Sequence, residues 1–88
     1  MNVHYLSPPT TRLAALRAEY AAMVDCAWAL RAAAAHYRMW AKQAEALNDN
    51  ERYQSLKAKA KAKFREARRY VEWAHRRRAE MEAIRAHH

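Results

Sequence analysis

Residues 47–53 read Leu47-Asn48-Asp49-Asn50-Glu51-Arg52-Tyr53, five polar residues held between two apolar ones. Upstream of this run, Leu13, Leu16, Tyr20, Met23, Ala27, Leu30, Ala34, Tyr37, Ala41 and Ala44 recur at steps of three and four. That spacing is a heptad seam, with apolar residues at positions a and d of one helix. Downstream, Tyr53, Leu56, Ala60, Phe64, Ala67, Tyr70, Val71, Ala74, Met81 and Ile84 form a second apolar pattern. The first seam would place its next a position at Asn48, whereas the second starts at Tyr53. An insertion of three or four residues only over- or underwinds a continuous coiled coil. A five-residue offset inside a polar run reads instead as a turn. One unbroken helix of over ~100 Å, at about 1.5 Å per residue, is therefore set aside.

Two helices of similar length joined by a short connection pack antiparallel. The fold expected is all-α: a coiled-coil-like hairpin in a single domain over residues 1–88. Its parts are an arm at 1–7, a first helix at 8–47, a turn at 48–50 and a second helix at 51–87. Ser7, or else Thr10, is positioned to cap the first helix, with Pro8 and Pro9 at its start. Asn48 with Glu51 can form a capping box for the second helix, and Asn50 is the other candidate cap. Folding about Asp49 places Tyr37 near Lys61, Trp28 and Cys26 near Tyr70 and Trp73, and Leu13 near Ile84.

Composition supports helices and excludes much else. The 88 residues include no glycine and two prolines, and alanine, arginine and lysine dominate. Without glycine, tight hairpin turns and phosphate-cradling loops are disfavoured. The chain is too short for a nucleotide-binding α/β domain. No basic-then-apolar leader is seen at Met1–Thr10, and no apolar run approaches the roughly 18 residues of a membrane span. The single cysteine, Cys26, excludes an internal disulfide and fits a reducing compartment, so a cytoplasmic location is expected. Beside the seam, Cys26 is expected to be a small buried hydrophobe. Trp40 and Leu47, at the same flank, should widen the buried stripe.

Catalytic and metal-binding patterns are missing from the sequence. None of Ser7, Thr10, Thr11 and Ser55 lies on a helix with a histidine at helical spacing, since Ser7 and His4 belong to the arm. Glu72-Trp73-Ala74-His75 has the Glu-x-x-His spacing of carboxylate-bridged metal bundles. Both residues fall on outer positions, however, and the seams contain no glutamate. No enzyme activity, metal, cofactor or small-molecule substrate is expected.

Two surfaces remain. The back of the first helix should be polar, yet it carries Ala21, Asp25, Trp28, Ala32, Ala35 and Met39 among further alanines. A helix apolar nearly all round is usually covered on more than one side. Alanines allow close approach, and tryptophan and methionine are favoured interface anchors. This face is expected to contact a protein partner or a second copy of the chain, giving a four-helix-bundle dimer. The seams alone are thinned by their alanines and by Lys63 and Arg77 at d positions, which strengthens the expectation of further burial. The second surface is the outer face of the second helix, with Lys61, Arg65, Arg68, Arg69 and Arg76. It holds most of the formal net charge of +8. Such a ridge can meet nucleic-acid phosphates or an acidic protein. Pairs such as Arg68 with Glu72 and Arg76 with Glu80, at i,i+4 spacing, are expected to neutralise part of it. An anionic membrane suits the charge, but the apolar face of the second helix is committed to the hairpin.

Taken together, the residues point to a small helical protein-interaction module, an adaptor or an inhibitor of the kind phages and mobile elements encode. Sequence-independent nucleic-acid binding through the basic face is the other reading.

Overall fold

The computed structural model describes residues 9–87. The arm at 1–7 and the Ser7 cap lie outside the described residues. Two helices make up the fold: α1 spans Pro9–Ala46 and α2 spans Asn50–Ala86. They pack side by side as a hairpin, forming a slab of 61 × 29 × 13 Å. α2 runs without a break.

The seams face each other as the heptad spacing requires. Leu16, Ala27, Ala34, Ala41 and Ala44 of α1 are buried, as are Leu56, Ala60, Ala67, Ala74 and Met81 of α2. Every other a and d residue from Leu13 to Ile84 is half-buried, including Lys63 and Arg77. Ala34 is fully enclosed, at 0% exposure. Alanine every seventh residue on both helices keeps the centre of the seam thin. The thicker packing lies near the turn, where Tyr37 and Tyr53 close over Ala41, Ala44 and Leu56.

The connection has the expected three residues but sits one residue earlier, at 47–49, and its capping differs. Asn48 has a left-handed backbone, φ 59°. Asparagine is among the few residues that tolerate this conformation without glycine. It lets the Asp49 N–H donate to the Ala44 carbonyl (2.9 Å) and the Asn48 N–H to the Glu45 carbonyl (3.0 Å). This paired 6→1 and 5→2 pattern is the Schellman end of a helix. Asp49 then begins α2: its Oδ1 accepts from the Arg52 N–H at 3.2 Å, and its carbonyl accepts from the Tyr53 N–H at 2.9 Å. The N-cap is therefore Asp49, neither Asn48 nor Asn50. Asn48 is occupied in ending α1, and Asn50 already belongs to α2. Thr10 likewise lies inside α1.

Contacts across the hairpin confirm folding about Asp49. The Arg77 Nε donates to Glu19 Oε2 at 2.7 Å. The Lys59 ammonium sits 6.0 Å from the Tyr37 ring centre, and the Arg38 guanidinium 5.5 Å from that of Phe64. Arg77 and Lys59 each lie two residues closer to Asp49 than their mates do on the other side, and Phe64 lies four residues farther from it than Arg38. No helix among the described residues is long and apolar enough to cross a membrane.

Candidate interaction surfaces

A two-helix slab has two flat sides, and in an antiparallel pair each side joins like flanks of the two helices. One side carries the e and b positions: Val24, Trp28, Arg31 and Arg38 of α1 with Lys57, Lys61, Phe64, Arg68, Val71 and His75 of α2. The other carries the g and c positions: Glu19, Cys26, Ala33, His36 and Trp40 of α1 with Lys59, Glu66, Arg69, Trp73, Arg76 and Glu80 of α2.

On the first side a row of shallow clefts starts in the groove between the helices and runs out onto α2. One, of about 210 Å³, is lined by Tyr20, Val24, Ala27, Trp28, Arg31, Val71, Ala74 and His75. The next, of about 430 Å³, continues past Arg31 along Phe64, Ala67, Arg68, Val71 and Glu72, and a third, of about 410 Å³, lies on α2 alone between Lys61, Phe64, Arg65 and Arg68. The floor is apolar because the seam alanines are too short to fill the groove. The walls are cationic: Arg17, Arg31, Arg38, Lys42, Lys57, Lys61, Arg68, Arg78 and Arg85 share this side with Glu45 and Glu82.

The residues singled out on α1 are all exposed. Trp28 is 63% exposed and Met39 is about half exposed. They do not form one face turned squarely away from α2. Asp25, Ala32 and Met39 lie at the far back of α1, whereas Ala21, Trp28 and Ala35 turn toward the groove. Trp28 therefore shares a cleft with Val71 and His75 of α2. The Arg31 guanidinium lies 5.3 Å from the Trp28 ring centre.

Lys61, Arg65, Arg68, Arg69 and Arg76 are exposed as well, and they fan out over more than one side. Lys61 and Arg68 border the groove, Arg65 sits at the back of α2, and Arg69 and Arg76 face the opposite side. The neutralising pairs expected from spacing are not formed. Within α2 the ion pairs are Lys63–Glu66 (3.8 Å), Arg77–Glu80 (3.5 Å) and Arg78–Glu82 (3.5 Å). Glu80 is turned to Arg77, which also holds Glu19, instead of to Arg76. Among the described residues none of these five cations has a carboxylate within ion-pair distance. Glu72 and His75 are exposed, and no group of metal-ligating residues is seen among the described residues.

Three residues placed toward the core by their spacing are in fact at the surface. Cys26 is exposed, Trp40 is 44% exposed, and Leu47 stands free beside the turn. The thin alanine seam gives flanking side chains little depth to reach into. Only Val24 and Ala33 are half-buried beside the α1 seam. Trp40 packs instead along its own helix, edge-on to Tyr37 and stacked on His36. Trp73, 40% exposed, meets Tyr70 edge-on in the same way. The exposed Trp40 and Trp73 and the groove residues Phe64, Val71 and Arg31 could have been found from sequence only by pairing the e and g flanks across the hairpin.

No protein-family model matches the chain, and neither a curated protein nor a solved structure matches it.

Proposed function

We propose that this chain is a small, non-enzymatic helical interaction module, an adaptor or inhibitor that binds and masks a protein partner. The reading rests on Trp28. A tryptophan 63% exposed at the rim of an apolar cleft, midway along the slab, is an uncovered anchor. Central aromatic residues of this kind carry most of the energy of an interface once water is excluded. The groove beside Trp28 is suited to an amphipathic helix from the partner, whose apolar stripe would meet Val24, Phe64 and Val71. Acidic residues flanking that stripe would meet Arg31, Lys61 and Arg68, which also speed encounter with an acidic surface. A free thiol at Cys26 suits a reducing cytoplasm. A masking role without catalysis suits a blocker encoded by a phage or mobile element.

The experiment is a binding titration with a synthetic amphipathic helix bearing leucines on one stripe and glutamates on its flanks. The wild type should bind it, and Trp28→Ala or Arg68→Glu should weaken binding roughly tenfold or more, equivalent to ~1.4 kcal/mol or above. Absence of binding at low salt, or binding indifferent to both substitutions, would overturn the assignment.

One observation favours the second reading, sequence-independent nucleic-acid binding: Lys61, Arg65, Arg68, Arg69 and Arg76 have no carboxylate partner among the described residues. Phosphate contacts by these residues would make affinity fall steeply with salt. Against it, single-strand binding uses aromatic faces for base stacking, and that of Phe64, half-buried in the groove, already lies beside Arg38. A short mixed-sequence duplex in the same titration decides between the readings. The protein-partner reading expects it to bind more weakly than the acidic helix.

A further inference from the structure

We propose that the flat side opposite the cleft is covered by a second copy of this chain, packed face to face and antiparallel into a four-helix bundle. The cleft side cannot serve this purpose. A second copy there would bring Arg31, Arg38, Lys57, Lys61 and Arg68 against their own equivalents, with few carboxylates to separate them.

The opposite side has the charge pattern self-pairing needs. Along α2 it reads Lys59, Glu66, Arg69, Trp73, Arg76, Glu80. Reversed about a point between Tyr70 and Val71, this order is its own complement. Lys59 falls opposite Glu80 of the second copy, Glu66 opposite Arg76, and Arg69 opposite the Trp73 ring. Two such charge pairs, each made twice, and a guanidinium over an indole are contacts that an isologous dyad generates.

The same dyad suits α1. Because the hairpin folds about Asp49, the level between Tyr70 and Val71 meets α1 between Ala27 and Trp28. Around it on this side lie Ala22, Cys26, Ala29 and Ala33. The two copies would place Cys26 against Ala29 and Ala22 against Ala33, small residues that let helices approach closely. The reversal also sets the large Trp40 against Ala15 of the second copy. Trp40 and Trp73, 44% and 40% exposed in one chain, would thereby be covered. The clefts and Trp28 would face outward on both copies, so dimer formation leaves the partner-binding side open.

The test is solution mass by light scattering during gel filtration, with circular dichroism as a check on folding. The wild type should run at twice the mass of the 10.3 kDa chain. Trp73→Lys, which sets a cation against Arg69 of the second copy, should give a single-chain mass, and Trp28→Glu should remain paired. Ala29→Lys, at an exposed helical site that folding does not depend on, should dissociate the dimer with helicity unchanged. Ala29→Lys decides the matter if Trp73→Lys misfolds. A short bis-maleimide should link wild-type chains through Cys26 and fail to link Ala29→Lys. A wild type of single-chain mass at high concentration would overturn the proposal. So would a dimer that survives Ala29→Lys, or one that Trp28→Glu dissociates.

Discussion

The Arg77 guanidinium of α2 reaches across the hairpin to the Glu19 carboxylate of α1, Nε to Oε2 at 2.7 Å, far from the turn that joins the two helices. The pair ties the open half of the slab into the same register that Asp49 sets at the closed end. Its strength is modest, because Arg77 and Glu19 side chains keep 31% and 51% of their exposure. Ion pairs so placed contribute about 0.2–1 kcal/mol. Arg77 occupies a d position only because its aliphatic stem can lie over the seam while its charged end stays wet.

The first prediction follows from that compromise. Glu19→Ala should cost less than about 1 kcal/mol. Arg77→Leu should more than recover the lost pair, since burying a leucine side chain is worth up to about 1.5–3 kcal/mol. A net gain of ~1 kcal/mol would raise the thermal midpoint by about 4–8 °C in a domain of this size. Thermal melts followed by circular dichroism measure both. A lower midpoint for Arg77→Leu would show that the ion pair, not the stem, holds this position.

Ala34 tests how thin the seam is. It is fully enclosed, so Ala34→Leu has no space to enter and should destabilise by about 1–3 kcal/mol. Ala32→Leu, on the exposed back of the same helix, should change stability by no more than about 0.5 kcal/mol. Urea unfolding of the two variants gives the comparison. Equal effects would mean the seam is slack.

The turn carries its own test. Asn48→Val forces a branched residue into a left-handed position and should cost at least about 1–2 kcal/mol. Asn48→Gly should be neutral or slightly stabilising, because glycine adopts that backbone freely. Asp49→Ala removes the N-cap of α2 and should cost ~1 kcal/mol. Denaturant midpoints that rank Gly above wild type, then Ala, then Val would support these assignments. Tolerance of valine at position 48 would contradict them.

Leu30 and Trp28 lie two residues apart on α1 and separate seam from surface. Leu30→Glu puts a carboxylate into the seam and should abolish most helicity. Trp28→Glu changes an exposed residue and should leave the helical signal intact. Far-ultraviolet circular dichroism of the two variants reads this directly. Unfolding of Trp28→Glu would place Trp28 in the core.

The seam was legible because period is a one-dimensional property. Steps of three and four from Leu13 to Ala44 specify which residues face the partner helix, whatever that partner is. The cap was not legible because Asn48, Asp49 and Asn50 have similar capping chemistry. Only the left-handed backbone at Asn48 assigns the role to Asp49. The surfaces were half legible. Trp28 was visible as an anomaly on a back face, but its nearness to Val71 and His75 depends on which flank of α1 meets which flank of α2. Trp40 and Cys26 lay beside the seam by count, and they are exposed because the alanines leave them no depth. Ion pairs were the least legible part. Arg68 and Arg76 each have a glutamate at favourable spacing, yet Glu80 is drawn toward Arg77, which already leans across the hairpin to Glu19.

The central claim is a division of labour between the two flat sides, and the three tryptophans report on it. Their indole N–H signals, resolved by nitrogen-15 correlation spectra and assigned by single Trp→Phe variants, distinguish the sides in one sample. Titration with the acidic amphipathic helix should shift the Trp28 indole and leave Trp40 and Trp73 in place. Dilution through the dimer dissociation range should shift Trp40 and Trp73 and leave Trp28. The contradicting result is a Trp28 signal that moves on dilution while Trp40 and Trp73 respond to the helix, or three indoles that respond to neither.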